Sequence, residues 1–272
     1  VKNTRHRERQ LLLILAPVLL SSGTAWADGA NADQPYADAS GLTILSNATN
    51  VTHWGLGAGV SVEGSPYKHY GSKVSPVPLV SFDDKWVRLF GTTVDLKIGN
   101  WSGLSVALRG QFALFDGYKG SDAAILNGMQ NRKGAFWYGP ALAWRTAFGT
   151  LSGDYLLGGN KGERAKIEYG KSFELAAFSI EPHIGAQWLS NKYVDYYYGV
   201  RPSEVRAGRP QYNGTSTWNE SVGARVTYKF TEHQRIIFDA GVSHLGSGIT
   251  DSPLVGKRYI PEAMIVYFYQ FK

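Results

Sequence analysis

The chain has 272 residues, with 32 glycines, 16 tyrosines, 8 tryptophans, no cysteine and a formal net charge of +6. The absence of thiols excludes a disulfide framework and a thiolate metal site, and the charge is too mild to point to nucleic acid. Aromatics at 13% beside so much glycine fit a compact α/β core poorly and fit many half-exposed strands, each apolar on one face, better.

The chain opens with a basic stretch, "KNTRHRERQ", then the apolar "LLLILAPVLL", then "AWA" before Asp28, with Ala25 and Ala27 as the small residues of a cleavage pattern. This order predicts a cleaved export signal over residues 1–27. The apolar run is about half the ~20 residues a spanning helix needs. The signal carries Lys2, Arg5, Arg7 and Arg9 against Glu8, which is +3 of the total charge. Residues 28–50, "DGANADQPYADASGLTILSNATN", are polar and irregular and read as a periplasmic lead-in.

Alternation begins after residue 50. Trp54, Leu56, Ala58, Val60 and Val62 share one face, opposite Gly55, Gly57, Gly59 and Ser61. Leu104, Val106, Leu108, Phe112 and Leu114 oppose Ser105, Arg109 and Gln111. The same rhythm recurs around Phe136–Phe148, Ile180–Trp188, Trp218–Phe230 and Ile236–Val242, and the chain closes on "MIVYFYQFK". The polar faces carry charges of both signs and many glycines. In a membrane barrel apolar faces meet lipid and polar faces line the lumen, and aromatics gather at strand ends, as they do here at Trp54, Trp144, Trp188, Trp218, Tyr228 and Phe230. Short connections ("DDK", "GNW", "GT", "TEHQ") alternate with long ones such as "DGYKGSDAAILNGMQNRK" and "DYYYGVRPSEVRAGRPQYNG", the pattern of periplasmic turns and external loops. The expectation is an all-β transmembrane antiparallel barrel of about twelve strands over residues 51–272. Trp86–Ile98 reads as two short strands around Gly91, with one long strand as the alternative. The alternating terminal strand would be hidden by closing against the first.

In order along the chain, "WGLGAGVSVEGSPYKHYGS", "PVPLVSF", "LNGM", "YYYGV" and "DSPLV" resemble the MipA/OmpV family of Gram-negative outer-membrane proteins, over about residues 50–271. The resemblance implies an outer-membrane barrel without a catalytic motif or cofactor. One family member is regarded as a scaffold joining a murein lytic transglycosylase to a penicillin-binding protein, and others are linked to adhesion, osmotic response or antibiotic susceptibility. The function expected is a non-enzymatic scaffold in the cell envelope, in contact with outer-membrane lipid and lipopolysaccharide. A small-solute channel and a lipid-modifying enzyme are the alternatives.

Three constellations bear on that choice. His244 and Ser247 in "SHLGSG" could serve acyl chemistry, but their spacing puts them on opposite faces of a continuous strand. Asp95, Lys97, Arg109, Arg145, Asp154, Glu168, Glu174, Glu181, His183, Arg225 and Asp239 alternate inward; their mixed signs favour a cross-paired lumen network over a selectivity path. In "YYYGVRPSEVRAGRPQY", Tyr196, Tyr197 and Tyr198 offer amphipathic rings. Arg201, Arg206 and Arg209 beside the single acid Glu204 could grip phosphates or carboxylates. No spacing resembles a metal site, and the sequons at Asn47, Asn50 and Asn213 read as chance.

Overall fold

The structure is a computed structural model and describes residues 40–113 and 116–271. The expected export signal and the first part of the lead-in lie outside the described residues, as does Leu114. Among the described residues twelve antiparallel strands form a closed barrel. They are β1 (His53–Gly64), β2 (Ser72–Asp83), β3 (Val87–Phe90), β4 (Thr93–Trp101), β5 (Leu104–Phe112), β6 (Phe136–Thr146), β7 (Gly149–Leu157), β8 (Glu163–Gly170, resuming as Phe173–Leu175), β9 (Phe178–Leu189), β10 (Thr217–Lys229), β11 (Gln234–His244) and β12 (Tyr259–Gln270). The last strand pairs with the first from Glu262↔Glu63 to Gln270↔Gly55, so the aromatic terminal strand has no open edge there. Trp86–Ile98 is two strands, and Gly91 takes the positive φ (58°) that their turn requires.

Alternation sorts the side chains as the pattern predicts. Outward residues such as Leu56, Leu108, Leu142, Ile184, Val222 and Ile265 are exposed on the wall, where a bilayer would cover them. Rings mark both borders. Trp54 stacks on Phe271 at 4.2 Å, and Phe178 meets Tyr228 at 4.6 Å, at the short-turn end. Phe112 meets Phe136 at 4.7 Å and His244 meets Tyr259 at 5.0 Å at the long-loop end. Among the described residues no helix is long and apolar enough to cross a membrane.

One sector of the lumen is apolar. Met264, Val266 and Phe268 of β12 point inward and pack with Val77, Leu79, Phe90 and Ile237. They fit because β1 presents glycine there: a Cβ at Gly57 would lie 2.7 Å from the Tyr267 carbonyl oxygen and 3.2 Å from the Phe268 ring. Each such side chain contributes roughly 1.5–3 kcal/mol through burial.

The long connections carry structure that alternation does not reveal. The "YYY" stretch is not loop but the end of a helix, α1 (Asn191–Tyr198), capped by Ser190, whose Oγ accepts from the Tyr193 N–H. A short helical turn, α2 (Ser247–Thr250), sits in the β11–β12 connection.

Candidate functional site

The inward charges form several small groups in which opposite signs face each other. Arg109 donates through Nε and Nη2 to the two carboxylate oxygens of Asp95, both at 2.7 Å, and through Nη1 to Asp154 at 3.0 Å. Arg225 bridges Glu181 at 2.7 Å and Asp239 at 3.0 Å, and His183 stands 3.5 Å from the same Asp239 carboxylate. A Cβ at Gly223 would collide with the His183 ring, so that glycine makes room for it. Lys166 pairs with Glu168 at 2.7 Å, and Lys97 pairs with Asp83 near the short-turn end. Arg145 and Glu174 are exposed at the short-turn rim, where Glu174 accepts from the Ser172 hydroxyl. These two share the inward parity but lie at the exposed rim rather than among the buried pairs. Paired charges in a low-dielectric lumen hold neighbouring strands in register, while the Arg109 group, with two carboxylates on one guanidinium, keeps a net negative charge at the wall.

Above this network four loops interlock. The Glu204 carboxylate accepts from Arg132 Nη2 through both oxygens, at 3.0 and 2.9 Å, and from the backbone N–H groups of Gln130 and Arg201. Burial pushes the Glu204 carboxyl up, but the Arg132 hydrogen bonds and the two amides outweigh it and hold the pKa below the usual carboxylate value. Arg209 is buried. It donates to the carbonyls of Glu204 (2.9 Å), Ile125 (2.6 Å) and Asn127 (2.9 Å), so it ties the β9–β10 loop to the β5–β6 loop. Arg201 and Arg206 are exposed, although each also donates inward, to Gln130 and to the Ala124 carbonyl. The sequence reading treated all three arginines alike, and the structure separates them.

The tyrosines pack beneath. Tyr67 meets Tyr118 edge-on at 5.0 Å and stacks on Tyr198 at 5.6 Å, and its hydroxyl donates to the Tyr197 carbonyl. Ser252 donates to the Tyr198 carbonyl at 2.7 Å, and the Lys68 N–H reaches the Leu254 carbonyl at 2.9 Å, which brings the β1–β2 and β11–β12 loops into the same plug. Tyr196 accepts from the Lys133 N–H at 3.1 Å. Under the plug lies a cavity of about 170 Å³ lined by Asp116, Arg164, Tyr193 and Tyr197, among others. Asp116 is buried there, and its Oδ2 has no hydrogen-bond partner among the described residues. Burial pushes its carboxyl up to about 6, against the pull of Arg164, Lys73 and Lys161. Asp116 and Arg132 escaped the sequence reading because they sit in an irregular loop, where no periodicity reports direction.

At the opposite end, a strap formed by residues 40–52 crosses the short-turn rim. Gly41 and Leu42 pair with Asn100 and Gly99 of β4, Lys85 donates to the Ser46 carbonyl at 2.6 Å, and the Lys85 N–H donates to Asn50 Oδ1 at 2.9 Å. Pinned in this way, the strap displays Ile44 at 72% exposure and Leu45 at 75%. His244 faces outward, 3.7 Å from Glu220, while Ser247 is exposed at the start of α2, and no hydrogen bond joins the two. Among the described residues no cluster of His, Asp and Glu could hold a metal ion.

A family model described as MltA-interacting protein MipA matches residues 56–271. The chain is 29% identical over 227 residues to the MltA-interacting protein of Escherichia coli (strain K12), covering 79% of this chain and 91% of the relative. It is 26% identical over 225 residues to the putative outer membrane protein YiaT of the same strain, covering 80% and 90%. It is also 26% identical over 187 residues to the outer membrane protein OmpV of Vibrio cholerae serotype O1, covering 67% and 70%.

Proposed function

The chain belongs to the MltA-interacting protein MipA family and is an outer-membrane β-barrel, and from that premise we propose that it serves as a non-enzymatic scaffold whose periplasmic strap docks a murein-remodelling enzyme. The observation that carries this reading is the pair Ile44 and Leu45, held in the open by backbone pairing to β4 and by Lys85. An apolar pair displayed on an anchored segment loses little conformational entropy when a partner covers it. Short turns face the periplasm in outer-membrane barrels, which puts the strap on the side where murein enzymes work. The interlocked loops support the same reading, since loops held together over the lumen obstruct solutes. Arg201 and Arg206, exposed among the loops, suit phosphates of lipopolysaccharide.

The test is binding of a periplasmic lytic transglycosylase to the full-length protein in detergent, compared with an Ile44→Ser/Leu45→Ser variant. The expected result is a loss of binding on the order of tenfold or more, about 1.4 kcal/mol, with the barrel intact. Equal binding by both proteins overturns the strap as the docking segment. A small-solute channel is the second reading, favoured by the charged lumen, and it requires the plug to move.

A further inference from the structure

The barrel wall is not of even height. β2 pairs with β1 along its whole length, from His53↔Asp83 to Gly64↔Ser72. Its pairing with β3 is confined to Ser81, Phe82 and Asp83, with the Gly91 N–H reaching the Val80 carbonyl just beyond. There the chain turns back, and β4 begins at Thr93, opposite Gln111 of β5. From Val80 outward to Ser72, roughly 30 Å of strand at ~3.4 Å per residue, β2 has β1 as its one strand neighbour among the described residues. The wall therefore carries a notch, bounded by the outer part of β2, the β3–β4 turn and the outer end of β5.

The notch lies at hydrocarbon depth. The ladder joins Pro76 to Val60 and Val60 to Ile265, and Ile265 lies between Tyr259 at one border of β12 and Tyr269 near the other. At that depth backbone groups with no partner are most costly. The sequence answers with "PVP". Proline has no N–H, and in sheets it is confined to positions that face no ladder partner. The β1–β2 register runs through Val60↔Pro76 and Ala58↔Pro78 without a shift. Both proline nitrogens must then face away from β1, into the notch. Two donors are thus deleted from this edge, which also makes it a poor template for a strand from a second copy. The exposed side chains on its flanks are apolar: Val74 and Val80 on β2, Phe112 on β5. Phe90 forms the floor, with Val77 and Leu79 behind it.

We propose that this notch is a lateral lipid site, in which an acyl chain of an outer-leaflet lipid lies along the β2 edge, over the β3–β4 turn, and reaches the lumen wall at Phe90. The apolar lumen sector is then continuous with the membrane through the notch, while every other strand has a partner on both sides.

The full-length protein in vesicles containing a phospholipid with a mid-chain diazirine tests this. After irradiation, adducts are mapped by mass spectrometry. Phe90, Thr93 and Ser75 are expected to carry several-fold more label than Ser221, Gly223 and Asp239, which face inward behind the continuous β9–β10–β11 ladder. Pro78→Lys is expected to remove the notch adducts and leave the outward Val222 and Phe238 labelled. Adducts confined to outward residues all round the barrel overturn the proposal, as does a β2 edge that stays unlabelled while Val222 and Phe238 are labelled. If Pro78→Lys fails to insert, the map of the unsubstituted protein still decides.

Discussion

Three loop residues act on the plug by different physics. Arg132 and Glu204 neutralise each other with side chains 2% exposed. Removing one leaves the other charge buried without compensation, a loss of roughly 3–5 kcal/mol. Glu204→Ala is therefore expected to loosen the β9–β10 loop, seen as faster proteolysis between residues 199 and 216 while the barrel keeps its heat-modifiable gel mobility. Asp116 works in the other direction. Its folded pKa, raised by burial to about 6 from an ordinary 3.8, means that the folded state holds the proton more tightly than the unfolded one. Its contribution favours the fold fully below the ordinary value and is lost as pH rises through about 6. Asp116→Asn cannot ionise, so it is expected to gain on the order of 2–3 kcal/mol above about pH 7 and to be near neutral below about pH 4. Urea unfolding in micelles across that range measures the gap, and a pH-independent gap would remove burial of the charge as the cause.

At the scale of the strand, the glycines of β1 set how closely β12 can approach. Gly57→Val would drive its side chain into the Tyr267 carbonyl and the Phe268 ring, and overpacking of this kind costs about 1–3 kcal/mol. A lower urea midpoint with an unchanged slope is expected, and an unaltered midpoint would mean that Phe268 has another place to go. The same strands show what the sequence could and could not disclose. A period of two fixed which side chains of β5, β9, β10 and β11 face lipid, because one-residue slips would turn every one of them over. It could not disclose that the inward face of β12 is apolar for a reason, since that reason lies in the glycines of β1 two hundred residues away. Nor did alternation mark α1, where Tyr193 and Tyr197 repeat at helical spacing inside a stretch that composition alone reads as loop. Arg209 and Arg201 look equivalent in sequence, yet one is a buried staple and the other is exposed, because burial there depends on where the β5–β6 loop folds.

For the whole molecule, the wall and the plug are separable parts. The wall is held by strand pairing that runs unbroken from β4 through β12 to β1 and β2, and the plug by the Arg132–Glu204 pair, the Arg209 staple and the tyrosine stack. The plug is one obstacle, and the twelve-stranded lumen behind it, narrower than the 16–18-stranded barrels that leave an aqueous channel and lined with paired charges, is a second. The intact protein in a planar bilayer is accordingly expected to be electrically silent. Combining Glu204→Ala with Arg209→Ala removes the first obstacle alone. Brief, low-conductance openings are expected, because Arg109 with Asp95 and Asp154, and Arg225 with Glu181 and Asp239, still line the lumen wall with charge. Adding Arg109→Ala should lengthen these openings and favour cations, since Asp95 and Asp154 would then face the path without their counter-charge. Steady openings of the unsubstituted protein would give the lumen charges a transport role and move the strap from the centre of the function to its margin. Silence that persists in the triple variant would place the seal lower, in the apolar sector formed by Phe90, Val266 and Phe268.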